Sequence, residues 1–178
     1  MVAFVWSGEK RDNANIYIRP VAGGTPLRLT TDPAEDTAPA WSPDGSQIAF
    51  VRRQGLQADI YLTPPVPGSE RKLTDFRPAN ATNSTLVGQM VTISWSPDGR
   101  WLAVPGRDAD GTYGIVAIPV AGGAPRRLIG TPGDRYQFPA VSPDGKVLAY
   151  AACITDSACD VHTVSLDPTP ETRERRAG

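Results

Sequence analysis

The chain has 178 residues, 40% of them hydrophobic, and is rich in turn formers, with 17 glycines and 18 prolines. Its 18 basic residues nearly balance 19 acidic ones, a formal net charge of -1 that gives no global drive toward nucleic acid or an anionic membrane surface. No DNA-binding module and no apolar run long enough to span a bilayer are visible, so neither nucleic acid nor membrane is expected as a partner of this segment.

Strand-like Val2-Ala3-Phe4-Val5 stands where a basic leader would, and any export signal or anchor is expected outside these residues. Ile16-Tyr17 follows, and Gly23-Gly24 turns the chain into Leu27-Arg28-Leu29-Thr30. Then Trp41-Ser42-Pro43-Asp44-Gly45 introduces a phrase that recurs as Trp95-Ser96-Pro97-Asp98-Gly99 and, with valine leading, as Val141-Ser142-Pro143-Asp144-Gly145. The copies start 54 and 46 residues apart, and the longer spacing comes mainly from one extended connection at 75–90. Each phrase precedes a short apolar run: Ile48-Ala49-Phe50-Val51, Leu102-Ala103-Val104 and Leu148-Ala149-Tyr150. A full unit predicts four strands, at 38–42, 47–52, 59–63 and 71–74, and no stretch sustains the 3.6-residue period of a helix.

In the phrase, proline fixes φ at the first central turn position, aspartate bonds its own turn backbone and glycine takes positive φ. The leading tryptophan adds a large side chain for packing. Four short antiparallel strands per unit of roughly 45 residues predict a propeller blade. The expected fold is therefore an all-β propeller, one domain over 1–178 of about four consecutive four-stranded blades forming a partial, open ring. The blades are placed at about 1–30, 37–74, 91–129 and 137–176. The first lacks its first strand, and the last strand of the fourth, near 171–176, lacks the Leu-Thr ending of its counterparts. Closure into four blades is disfavoured because no spare Ser-Pro-Asp-Gly strand follows.

Strand direction alternates, so the Ser-Pro-Asp-Gly and Gly-Gly turns share one face and the irregular connections share the other. Binding residues concentrate on loops held by a rigid scaffold, which makes the irregular face the candidate site. Its candidate residues are Asp32, Glu35, Asp36, Arg77, Asn80, Asn83, Arg107, Asp108, Asp110, Asp134 and Arg135. Ten acids against five bases on that face suit a cationic or peptide partner, although charged loops are ordinarily just solvated.

Turn geometry accounts for Asp44, Asp98 and Asp144 better than a metal ring does. Asp108-Ala109-Asp110-Gly111 starts like a calcium loop but lacks the further oxygen ligands, so a hairpin tip is expected. Cys153 and Cys159 flank a hairpin and read equally as a disulfide or as buried free thiols. His162, the single histidine, takes the place of Tyr17 and Tyr61 in the repeat, which predicts strand packing. Asn80-Ala81-Thr82 and Asn83-Ser84-Thr85 match the loose glycosylation pattern. With no Gly-x-Ser-x-Gly elbow and too little His and Cys for a zinc centre, no catalytic residue, cofactor or metal is assigned.

The succession Trp-Ser-Pro-Asp-Gly (41–45), Ile-Ala-Phe (48–50), Asp-Ile-Tyr (59–61), a glycine turn and Arg-Lys-Leu-Thr (71–74) resembles the TolB-like propeller repeat, a WD-repeat-like bacterial family. The resemblance covers nearly the whole chain. It implies a non-catalytic segment that binds a protein, peptide or small ligand, as in the sensory regions of bacterial regulators and receptor kinases. The alternative it implies is the substrate-gating propeller of a prolyl-oligopeptidase-like serine peptidase. A periplasmic or extracytoplasmic setting is what it leans toward. A third expectation needs no ligand: an open arc leaves apolar sheet faces and strand edges uncovered, and the isolated segment associates or is poorly stable.

Overall fold

The computed structural model describes residues 1–9, 13–55, 57–74, 91–108, 112–131, 135–153 and 158–166. Fourteen strands and no helix occur among them. The first sheet holds β1 (Val2–Trp6), β2 (Asn15–Arg19) and β3 (Leu27–Arg28) in that order. The second holds β4 (Glu35–Trp41), β5 (Ile48–Gln54), β6 (Gln57–Thr63) and β7 (Arg71–Thr74). In the third, β8 (Ser94–Trp95), β9 (Trp101–Arg107), β10 (Tyr113–Pro119) and β11 (Arg126–Ile129) repeat that arrangement. The fourth holds β12 (Arg135–Val141), β13 (Val147–Cys153) and β14 (Cys159–Ser165). Neighbouring strands are antiparallel throughout, and each sheet packs on the next, giving an open arc of propeller blades. The expected strand at 171–176 lies outside the described residues.

Each junction between sheets carries its own core. Ile16, Ile18 and Leu29 of the first sheet meet Ile48 and Phe50 of the second. Ala49, Ile60 and Leu62 meet Leu102, Val104, Val116 and Ile118, and Ala103 and Ile115 meet Tyr136, Leu148 and Tyr150. The second strand of a blade is thus sandwiched on both faces, which is why Ile48-Ala49-Phe50-Val51 is apolar at every position rather than alternately. One cross-strand pair recurs in register: Phe4 with Tyr17, Phe50 with Tyr61, Tyr150 with His162, at ring separations of 6.0, 5.7 and 5.8 Å. His162 stacks on Tyr150 in the tyrosine's place, but on the exposed outer strand of the fourth sheet.

The leading strands begin earlier than the sequence suggests. β4 starts at Glu35 and β12 at Arg135, so Glu35, Asp36 and Arg135 belong to strands and not to connecting loops. A β-bulge accounts for the extension. Ala38 and Phe138 adopt φ of 53° and 51°, the register shifts there, and pairing then resumes upstream, with Asp36 opposite Arg52 and Arg135 opposite Cys153. The hairpins at the irregular face likewise run on to Gln54 and Gln57, and to Cys153 and Cys159. β4 and β12 are also the strands that touch neighbouring sheets, which places the leading strands at the inner edge of the arc.

Candidate functional site

The three Ser-Pro-Asp-Gly turns share one set of bonds. The serine Oγ donates to the aspartate Oδ1 at 2.6, 2.7 and 2.6 Å and accepts the backbone N–H of Gln47, Trp101 or Val147 at 2.9, 3.0 and 2.9 Å. The same Oδ1 accepts the N–H two residues on, from Ser46, Arg100 or Lys146, at 3.0 Å in each turn. The glycine N–H closes on the serine carbonyl at 2.9 Å, with φ of 71°, 69° and 74° at Gly45, Gly99 and Gly145. These bonds favour the charged carboxylate, and the serine hydroxyl leads them: Asp44 is held down at about 2, and Asp98 and Asp144 are lowered for the same reason. The aspartates of this face are therefore engaged in their own turns.

On the opposite face, three of the four described acidic candidates, Asp32, Asp36 and Asp108, are engaged with arginines that composition gave no reason to single out. Asp36 is fully buried and receives Arg52 Nε and Nη2 at 2.8 Å each, while Arg52 Nη1 reaches Glu70 at 2.7 Å and Asp32 at 3.4 Å. The Arg52 guanidinium also lies 4.6 Å from the Tyr61 ring centre. This cluster ties the first two sheets together, because Asn13 donates to the carbonyls of Asp32 and Ala34, and the Asp36 N–H to Ala14. Asp108 accepts the Thr112 N–H at 3.0 Å and pairs with Arg127 at 3.1 Å, so it closes a hairpin. Arg77, Asn80, Asn83, Asp110 and Asp134, with the connection at 75–90, lie outside the described residues.

Between the third and fourth sheets the face carries an aromatic chain that the sequence analysis missed. Tyr113, Tyr136, Tyr150 and His162 follow one another at ring separations of 6.3, 5.7 and 5.8 Å. The Tyr113 hydroxyl donates to the Tyr136 carbonyl at 2.6 Å, and burial pushes it up to about 12. On β12 Phe138 stands at the inner edge, 45% exposed and in a left-handed conformation that a β-carbon disfavours. Phe138 precedes Pro139 as Ala38 precedes Pro39, and a proline within a strand marks an edge or a bulge. Cys153 and Cys159 face each other across the last hairpin, their Cα atoms 4.0 Å apart, and are joined as a disulfide. No group of three or more His, Cys, Asp or Glu able to hold a metal occurs among the described residues. A cleft of about 450 Å³ opens on the uncovered side of the first sheet, lined by Trp6, Tyr17, Pro26 and Arg28 among others.

Stacked antiparallel blades with their leading strands innermost, joined by a repeated turn, define the chain as a β-propeller segment. It belongs to the family of the TolB beta propeller domain, whose model matches residues 2–167. The uncharacterized peptidase YuxL of Bacillus subtilis is 29% identical over 85% of this chain and 27% of its own length. The uncharacterized protein Atu1656 of Agrobacterium fabrum is 30% identical over 82% of this chain and 46% of its own. The structure of putative TolB from Agrobacterium tumefaciens superposes with a TM-score of 0.72 at 23% identity, covering 92% of this chain and 57% of that one. The chain thus spans about a quarter of the first of these curated relatives and about half of the second.

Proposed function

We propose that this segment binds a protein or peptide non-catalytically at the irregular face, along the inner edge of the arc. The observation that carries the reading is Phe138. It is a large apolar ring left 45% exposed on an innermost strand, in a strained conformation that its repeat counterpart Ala38 shares without the ring. The described acids Asp32, Asp36 and Asp108 are engaged by arginines, Arg52 being shared among Asp32, Asp36 and Glu70 and Arg127 pairing with Asp108. Phe138 gives a ligand an apolar anchor there, beside charges that are already paired within the chain. The test is binding of the chain to an array of random dodecapeptides, with Phe138→Ala as the comparison. A subset of peptides bound at least tenfold more weakly by the variant is expected. Binding that is absent, or indifferent to the substitution, overturns the reading.

The similarity to YuxL supports a second reading, in which the same face gates access to a peptidase domain carried elsewhere in a longer protein. The coding sequence read in frame beyond Gly178 separates the two, since a Gly-x-Ser-x-Gly domain there selects the gate.

A further inference from the structure

Each repeated turn carries an Asp-Gly step, at Asp44-Gly45, Asp98-Gly99 and Asp144-Gly145. Glycine has no side chain to hinder its amide nitrogen, so that nitrogen can attack the γ-carbon of the aspartate before it. In the attack the Gly N–H gives its proton to water, the N–Cγ bond forms, and the uncharged carboxyl loses its hydroxyl as water. Water then opens the resulting five-membered imide. Opening at the main-chain carbonyl yields isoaspartate, whose main chain runs through the former side chain and is one carbon longer. One water leaves and one returns, so the composition is unchanged.

The bonds of the folded turn oppose both halves of this reaction. The attacking nitrogen is held through its N–H, which donates to the serine carbonyl at 2.9 Å in all three turns. The attacked carboxyl is clamped at Oδ1 by the serine hydroxyl, at 2.6 to 2.7 Å, and by the N–H two residues on, at 3.0 Å. Both bonds favour the carboxylate over the uncharged acid that reacts, and all three aspartates are lowered accordingly. The turns differ at one further atom. Asp44 Oδ2 accepts the Ser46 hydroxyl at 2.8 Å, whereas Arg100 and Lys146 occupy that position in the other two.

We propose that the three turns are latent isoaspartate modification sites guarded by the serine of the phrase, so that isomerisation follows opening of a turn and reaches Asp98 and Asp144 before Asp44. The longer main chain of the product breaks the spacing in which the Gly N–H meets the serine carbonyl, so a single event unlatches the hairpin. These sites lie on the face opposite Phe138 and are independent of any ligand bound there.

The test holds the full chain near neutral pH, folded and in concentrated guanidinium chloride, and follows isoaspartate in each turn peptide by digestion and isomer-resolving mass spectrometry. In denaturant the three sites are expected to isomerise at similar rates. In the folded chain each should be slower by about tenfold or more, because the uncharged fraction scales with the acid constant, and Asp44 should be slowest. Ser142→Ala should speed Asp144 about tenfold while Asp44 and Asp98 keep their rates, and Ser46→Ala should bring Asp44 to the rate of Asp98. If Ser142→Ala proves unfolded, the folded-to-denatured ratio of the unaltered chain and the Ser46→Ala comparison decide. The proposal is overturned if no isoaspartate forms in denaturant, if folded and denatured rates agree, or if Asp44 outpaces the other two. A folded Ser142→Ala chain that isomerises no faster at Asp144 overturns it as well.

Discussion

Arg52 and Asp36 face each other across β4 and β5 and meet through two hydrogen bonds of 2.8 Å, with the carboxylate entirely out of solvent. An ion pair so placed is a device for fixing geometry more than a source of net stability, because desolvation opposes the Coulombic gain. Removing one partner is another matter, since it strands the other charge. Arg52→Ala is expected to destabilise the chain by about 3–5 kcal/mol, whereas Arg52→Met combined with Asp36→Leu should come close to the unaltered protein. Urea unfolding of the three proteins checks this, and equal losses in the single and double variants would refute it.

Acid should act through the repeated turns. Asp44, Asp98 and Asp144 titrate below the ordinary carboxylate range because the serine hydroxyl and backbone N–H groups favour their charged forms. The stability they contribute is complete above about pH 4 and is lost as pH falls toward about 2, where Asp44 itself takes its proton. Melting temperatures measured between pH 5 and pH 2 should fall in that window. Ser42→Ala should flatten the part due to Asp44; an unchanged profile would remove the turn from the explanation.

Gly114 passes against the backbone of Ile129 and Gly130, where β10 carries a bulge, and a β-carbon there would collide with the Ile129 carbonyl. Because the obstacle is backbone and not a flexible side chain, Gly114→Ala is expected to cost about 1–3 kcal/mol. Gly123→Ala meets no neighbour, so any loss there reflects only its positive φ. Thermal denaturation of the pair separates overpacking from turn strain.

The Cys153–Cys159 bond closes a short hairpin. On the chain-entropy account a loop of that size is worth about 2–3 kcal/mol, so reduction should lower unfolding free energy by that amount. Thiol titration of unfolded, unreduced protein should find no free thiol; two would mean the pair is open.

Much of this architecture could be read from residues alone, because the signals were local. Ser42 to Gly45 spells a turn, and Ile48 to Val51 is apolar at every position for the reason that a strand between two sheets must be. What escaped was non-local. Asp32, Asp36 and Asp108 look like surface charge in a count along the chain. Their partners Arg52 and Arg127 lie on strands brought alongside only by the fold, and nothing in the spacing of Asp36 and Arg52 announces a pair. The bulges escaped for a different reason. Left-handed φ at Ala38 and Phe138 is imposed by the continuing ladder, against the preference of residues with a β-carbon, so no glycine marked the spot.

The recurrent turn also bears on how the chain reaches this fold. Every bond that closes it links residues no more than five apart, from the Ser42 hydroxyl to the Gln47 N–H at the widest. Three hairpins can therefore form wherever they stand along an otherwise unfolded chain, on the order of 1–10 μs, before any sheet has met its neighbour. Stacking of hairpins already made then comes later, and its entropy cost grows only slowly with the length of the connection between them.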